Sequence, residues 1–288
     1  MTGSESEAQR ERLEQVYRTR APMLDEINKV SPWHAIYRRR TLELLSPFFT
    51  PTTRMLDLAA GTGIFGREAA PRVNSLTLVD ALPAMLDAAR ANFEAAGLLP
   101  DGHAITFERQ DVTADDTDDP RLYDLIILTQ ALNFIAPLQS LFRYVARHLA
   151  PSGLFYFDID TAFRWAVIEA LSMRPENALQ IAENKRDKER RIVGADYFFY
   201  DRTVIQQALG AAGLSATKIR GLCYVSPFIH VFNASADFLE RDRLDPRAAI
   251  FLDSGPLADL QRLDRAFEET LPPEAAGWMS FEVRRVTE

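Results

Sequence analysis

"MLDLAAGTGIFG", residues 55–66, places Gly61, Gly63 and Gly66 directly behind a short apolar run. The Gly-x-Gly-x-x-Gly spacing is that of a tight strand-to-helix turn, where bare backbone can approach a dinucleotide's pyrophosphate. Two acids argue against that ligand. Asp57 lies inside the apolar run, four residues before Gly61, where it would face an incoming anion. Asp111, in "FERQDV", follows a later strand at a point where the dinucleotide reading has no task for an acid. Both positions suit a cationic ligand.

On either side of the loop, strands and helices alternate. "RMLDLAA" reads as a strand and "GIFGREAAPRV" starts a helix at the glycine loop. "SLTLVDA" is a second strand. "PAMLDAARANFEAAG" is a helix, with Pro83 near its first turn and Gly97 past its end. "AITFERQDV" is a third strand. "YDLIILTQ" is a fourth, and its unbroken apolar run suits a strand covered on both faces. "PLQSLFRYVARHLAPSG" forms a helix with Leu138, Leu141, Phe142, Val145 and Leu149 on one face and His148 on the polar side; "LFYFDID" is a fifth strand. Ahead of this block, residues 8–30 and 33–46 read as helices. Behind it, residues 161–195 read as helical, with "ENKRDKERR" as a solvated face or loop. "DRTVIQQALGAAGL" reads as a helix capped by Asp201, "SATKIRGLCYV" as a strand and residues 257–271 as a helix. "WMSFEVRRV" is a final strand with Met279, Phe281 and Val283 on one face. The expected fold is α/β: a Rossmann-like, seven-stranded, mostly parallel sheet with helices on both faces, N-terminal helices and a helical lid insertion. The expected divisions are an N-terminal helical lid segment (1–46), a ligand-binding core (47–160), a lid insertion with late core elements (161–255) and a final helix and strand (256–288).

The chain has 288 residues, 47% of them hydrophobic, which is ample for a core. A formal charge of -8 is a poor match to nucleic acid, whose binding depends on a basic surface. No apolar leader or membrane-length run stands out, and the lone Cys223 cannot form an intramolecular disulfide, which suits a reducing, cytoplasmic setting. The four histidines, His34, His103, His148 and His230, are scattered, so no metal site is expected.

Taken together, the motifs resemble those of class I S-adenosylmethionine-dependent methyltransferases. Asp57-Leu58-Ala59-Ala60-Gly61-Thr62-Gly63 looks like their first motif, and "LTLVDALPAML", with Asp80 ending the strand, like the second. "RQDV", "YDLIILTQALNFI" and "LAPSGLFYFDI" resemble the elements that follow, so the likeness covers about residues 50–160. A later stretch, "YFFYDRTVIQQALGAAGLSATKI", resembles the usual late helix and sixth strand. The resemblance implies S-adenosyl-L-methionine as cofactor. Gly61 and Gly63, with Ala59 beside them, would leave room for its ribose and methionine parts. Asp57 would stand near the methionine amino group through water, or else only brace the loop. Asp80, with Ala81 beside it, would accept from the ribose hydroxyls, and Leu82 and Met85 would pack on the adenine. Asp111 would accept from the adenine amino group while the Val112 N–H reaches a ring nitrogen. Thr129 and Gln130 would line the methionine end. Gly66 reads instead as a helix-packing glycine.

The activity implied is in-line methyl transfer to a small molecule, O- or N-directed, in secondary or cofactor metabolism. "LTQALNF" lacks the Asn/Asp-Pro-Pro-Tyr motif of many nucleic-acid amino-methylating enzymes and the acid that catechol-type enzymes use to chelate magnesium. Asp158 and Asp160 could hold a metal but read better as hydrogen-bonded structure. The acceptor site is expected from the N-terminal helices and residues 161–255, both rich in aromatics, which suits an apolar or aromatic acceptor. His34 and His230 are the candidate general bases. Two alternatives stand beside this reading: a non-methylating reaction such as cyclisation on the same fold, or a non-catalytic binding protein. The N-terminal helices could also pair two subunits into a homodimer.

Overall fold

The computed structural model describes residues 3–30, 32–99, 104–114, 121–187, 194–224 and 254–286. Two helices lead, α1 (Gly3–Val30) and α2 (Pro32–Leu45). The alternating block follows: β1 (Arg54–Leu58), α3 (Ile64–Ala69), β2 (Ser75–Asp80), α4 (Pro83–Ala95), β3 (Ala104–Arg109), β4 (Tyr123–Leu128), α5 (Leu138–His148) and β5 (Leu149–Asp160). Then come α6 (Ala162–Leu171), α7 (Pro175–Asn184), β6 (Arg186–Asp187), β7 (Tyr197–Phe198), α8 (Arg202–Ala211), β8 (Leu214–Leu222), α9 (Ser254–Thr270) and β9 (Trp278–Arg285).

Seven strands form one sheet in the order β3-β2-β1-β4-β5-β9-β8, and β6 and β7 form a separate two-stranded ribbon. Within the seven-stranded sheet β9 runs antiparallel to both of its neighbours and the other pairs are parallel, while the β6–β7 ribbon is antiparallel. The period of two along each strand separates two cores. Ile126, Leu128, Phe155, Phe157, Phe281 and Val283 face α5 and α8. Leu125, Ile127, Leu154, Tyr156 and Trp278 face α2, α3 and α4. Phe157 and Phe281 stack at 4.6 Å across the antiparallel seam, so β9 is tied to the sheet by ring packing as well as by its ladder.

The chain turns away from β1 in opposite directions: β2 and β3 lie on one side, β4 and β5 on the other. The carboxyl ends of β1 and β4 therefore bound a crevice at the point where the strand order reverses, the place where open α/β sheets bind ligands.

Several local expectations change. α7 stops at Lys185, which takes a left-handed φ of +52°, and the chain then enters β6, so 161–195 is not helical throughout. Asp201 does precede α8, but its carboxylate makes no capping bond and lies 4.0 Å from the Lys185 ammonium. His148 is buried rather than on a polar face, because its ring packs on Tyr144 and its Nδ1 lies 3.0 Å from the Arg121 carbonyl. The apolar side of α1 (Leu13, Tyr17, Ala21 and Leu24) packs on Leu82, Met85 and Ala88 of the same chain. None of the described helices is long and apolar enough to cross a membrane.

Candidate active site

A cavity of about 270 Å³ opens at the crevice. Its floor comes from the loop after β1 (Ala59, Ala60, Gly61, Thr62) and the β2–α4 junction (Asp80, Ala81, Leu82, Met85). Gln110, Asp111 and Val112, after β3, close one side; Thr129, Gln130 and Ala131, after β4, close the other.

Asp80 ends β2 because its side chain is drawn back to the backbone around it. One carboxylate oxygen accepts from the Gly61 N–H at 2.9 Å, the other from the Leu82 N–H at 2.9 Å. Burial pushes this carboxyl up to about 6, against the pull of the Leu82, Gly61 and Ala81 amides. A carboxylate can accept about four bonds, so Asp80 keeps acceptor capacity for a ligand. Gly61 sits at φ +55°, and a Cβ there would meet nothing within 4 Å, so the bare backbone fronts open space. Asp111 accepts from the Thr113 N–H at 2.9 Å and from the Arg10 guanidinium at 2.8 Å, which brings α1 across the mouth of the cavity.

Gly63 and Asp57 do not line the cavity. A Cβ on Gly63, at φ +75°, would lie 2.8 Å from Phe93 Cε2 and 3.2 Å from Leu78 Cδ2, so this glycine serves the turn and the packing of α4. Asp57 lies beneath the loop and accepts the backbone N–H of Gly66, in the first turn of α3. This is the loop-bracing role. Burial and the nearby Asp80 together push its carboxyl up to about 8. Gly66 packs tightly, since a Cβ there would lie 3.2 Å from Leu78 and 3.3 Å from Asp57.

At the other wall, the Gln130 N–H donates to Asp158 at 2.9 Å, and the second Asp158 oxygen accepts from the Tyr37 hydroxyl at 2.6 Å. Asp160 accepts from Arg164 and from the Trp165 indole, both at 2.8 Å, and from the Tyr197 hydroxyl at 2.5 Å. The two strand-end acids are thus engaged by protein donors. Burial also pushes Asp158 up to about 7. Among the described residues, Asp57, Asp80 and Asp158 form no ion pair, so all three would ionise more readily beside a positive charge.

His34, on α2, lines the cavity; His230 lies outside the described residues. The described part of 161–255 contributes nothing to the lining. It acts from behind, where Tyr197 packs edge-on against the cavity residue Phe134 at 5.0 Å. The outer wall comes instead from Arg10, Leu13, Tyr17 and Leu24 of α1 with Phe134 and Ile135. Burial pushes the Tyr17 phenol up to about 12. The α1 residues were missed, although their spacing of three and four, continued through Ala21, is that of one helix face.

Comparison with known proteins agrees with this geometry. A family described as "Methyltransferase domain" matches residues 55–153. The malonyl-acyl-carrier-protein O-methyltransferase of Geobacter sulfurreducens is 28% identical over 186 residues, 62% of this chain and 62% of its own length. A highly reducing polyketide synthase of Emericella nidulans is 26% identical over 150 residues, 45% of this chain and 6% of that one. The chain thus spans less than two thirds of the length of either curated relative. Among solved structures, DhpI in complex with S-adenosylhomocysteine is 15% identical with a TM-score of 0.54, covering 100% of both chains. The 4+2 cyclase SpnF is 16% identical with a TM-score of 0.54, covering 86% of this chain and 82% of its own. Residues 55–153 thus match a methyltransferase domain, and the fold is that of S-adenosylmethionine-dependent methyltransferases, whose cofactor is S-adenosylmethionine. The residues present fit that cofactor: an acid with acceptor capacity to spare at a strand end, bare backbone at Gly61, an apolar shelf of Leu82, Met85 and Val112, and a local excess of carboxylate for a sulfonium.

Proposed function

We propose that this chain transfers a methyl group from S-adenosylmethionine to a small apolar or aromatic molecule, with oxygen or nitrogen as the acceptor atom. The observation that carries the reading is the makeup of this cavity: an acidic, glycine-backed floor under a wall of Leu13, Tyr17, Leu24, Phe134 and Ile135. The cofactor supplies a methyl group already activated on a sulfonium. The chain's own residues then have two tasks, to align the acceptor and to exclude water. Asp80 anchors the ribose, Leu82, Met85 and Val112 hold the adenine beside Asp111, and Thr129 and Gln130 flank the methionine end. The apolar wall takes the acceptor, and α1, held by Arg10 on Asp111, keeps water out. His34 takes a proton from a hydroxyl or ammonium acceptor where one must be removed. The O-methyltransferase among the relatives favours oxygen, and the polyketide synthase favours an acceptor from secondary metabolism.

A second reading, cyclisation on the same fold, draws on the likeness to SpnF. Incubation with S-adenosylmethionine and a panel of aromatic and acyl acceptors, followed by mass spectrometry, separates the two. Product heavier by one CH₂, with matching adenosylhomocysteine, supports methyl transfer. Product of unchanged mass with the cofactor intact refutes it.

A further inference from the structure

We propose that Tyr37 and Asp158 are a pair of positioning residues that hold the Gln130 corner of the cavity in shape and lock α2, with His34, against it. The functional consequence rests on the cofactor reading above; the geometry does not. Gln130 is a non-glycine residue at φ +54°. The left-handed conformation is disfavoured for such a residue and persists only where surrounding contacts impose it. Here the imposing contact is the 2.9 Å bond from the Gln130 N–H to Asp158. The corner it fixes, Thr129 to Ala131, is cavity wall.

Asp158 follows Leu154 and Tyr156 at steps of two on β5, so it belongs to the face that packs under α2. It is fully buried on that face. An apolar side chain would serve packing better, because an acid brings a desolvation cost that only its partners offset. Those partners lie on two separate elements. Tyr37 comes from α2, where its ring is fixed by Trp278 at 4.7 Å and edge-on by Phe65 at 6.1 Å. That packing would be met equally by phenylalanine, so the hydroxyl serves the bond to Asp158. Tyr37 is three residues after His34 on α2, which places both on one side of the helix. Phe65, against the Tyr37 ring, also lines the cavity. The pair therefore joins the loop after β4 to the helix that bears the candidate base. Neither residue touches the cavity itself.

The test uses the full chain and three variants, with local amide exchange and calorimetric affinity for S-adenosylhomocysteine as readouts. Asp158→Ala removes both bonds. Exchange at residues 129–131 should rise, and the affinity should fall, by about tenfold or more, the factor that 1.4 kcal/mol of lost interaction produces. Asp158→Asn keeps an acceptor for the Gln130 N–H and should restore most of both. Tyr37→Phe keeps the ring packing and should quicken exchange at residues 34–37 by about tenfold while leaving residues 129–131 near wild type. A purely structural role predicts instead a uniform loss of protection and no separation between the two segments. Wild-type exchange at 129–131 in folded Asp158→Ala, or at 34–37 in Tyr37→Phe, overturns the proposal. Should Asp158→Ala not fold, Tyr37→Phe decides alone. If the wild-type chain does not bind S-adenosylhomocysteine, the cofactor reading falls, and the exchange results still decide the positioning role.

Discussion

Asp80→Ala is the perturbation from which the structure yields the most definite number. Asp80 is 6% exposed, lines the cavity and already accepts the Gly61 and Leu82 amides at 2.9 Å each. Two ribose hydroxyls donating to it would form charge-assisted bonds, each contributing about 1.5–3 kcal/mol. Losing both should cost about 3–6 kcal/mol of affinity, a factor of roughly 10² to 10⁴. The variant also strips two loop amides of their acceptor, so stability should fall by about 1–3 kcal/mol for each amide left dry. Water entering the vacated space would reduce that second cost but not the first. Asp80→Asn is intermediate: it keeps an acceptor for one loop amide, sets an NH₂ donor against the other, loses the charge, and should fall between wild type and alanine in both affinity and melting. Titration calorimetry with S-adenosylhomocysteine, alongside circular dichroism, reads both quantities. Asp80→Ala that is folded and binds within about threefold of wild type, where 1.4 kcal/mol corresponds to tenfold, would refute the ribose assignment.

Gly63→Val should destabilise the fold by roughly 1–3 kcal/mol, from overpacking against Phe93 and Leu78 at a left-handed position, and a lowered denaturation midpoint checks this. Gly61→Val, whose Cβ meets nothing within 4 Å but whose φ of +55° strains a β-branched residue, should lower the midpoint less than Gly63→Val and should also weaken cofactor binding. Arg10→Ala should change stability by no more than about 1 kcal/mol, since its ion pair with Asp111 is solvent-accessible, while Asp111→Ala should weaken cofactor affinity in calorimetry. If His34 is the base, His34→Gln should lower turnover by roughly 10²–10⁴ with cofactor affinity near wild type; full turnover removes it from the mechanism. Asp57 holds its proton up to about pH 8 when folded, above its ordinary 3.8, so between those values the unfolded chain binds fewer protons. Its contribution to stability is therefore complete below about 3.8 and lost as pH rises through 8. Melting followed from pH 4 to 8 should decline more steeply in wild type than in Asp57→Asn, by about 1.36 kcal/mol for each pH unit at most.

The core was legible because its signals are local. An uninterrupted apolar run made β4 a central strand, and proline at the start of "PAMLDAARANFEAAG" with glycine at its end bounded α4. Strand pairing was legible only as a class of sheet; the antiparallel insertion of β9 between β5 and β8 depends on contacts such as Phe157 with Phe281, which no local pattern contains. Roles within the glycine loop were less legible still. Spacing identifies a tight turn but not which way each missing side chain would point. Gly61 fronts the cavity and Gly63 faces Phe93, although only Thr62 separates them. Asp57 likewise differs from Asp80 only in the direction of its side chain, toward α3 rather than toward the ligand space. His148 was misplaced for a related reason: helical periodicity assigned it to the polar side, but Arg121, two residues before β4, presents its carbonyl there.

The acids at the strand ends explain why the loop reads like a nucleotide turn and yet suits a cation. A pyrophosphate site would leave amides such as those of Gly61 and Leu82 free to meet an anion. Here Asp80 takes both, so the donors that a phosphate would need are spent on a carboxylate. The same glycine geometry is thereby inverted in sign. Burial opposes ionisation of Asp57, Asp80 and Asp158, raising each above its ordinary range, and all three are held by the protein's own N–H or O–H donors without a compensating charge among the described residues. An anion brought into this environment would raise all three further, whereas a sulfonium with an ammonium beside it would lower them. The electrostatic preference of the loop is thus set less by its glycines than by the acids that end or underlie the strands around it.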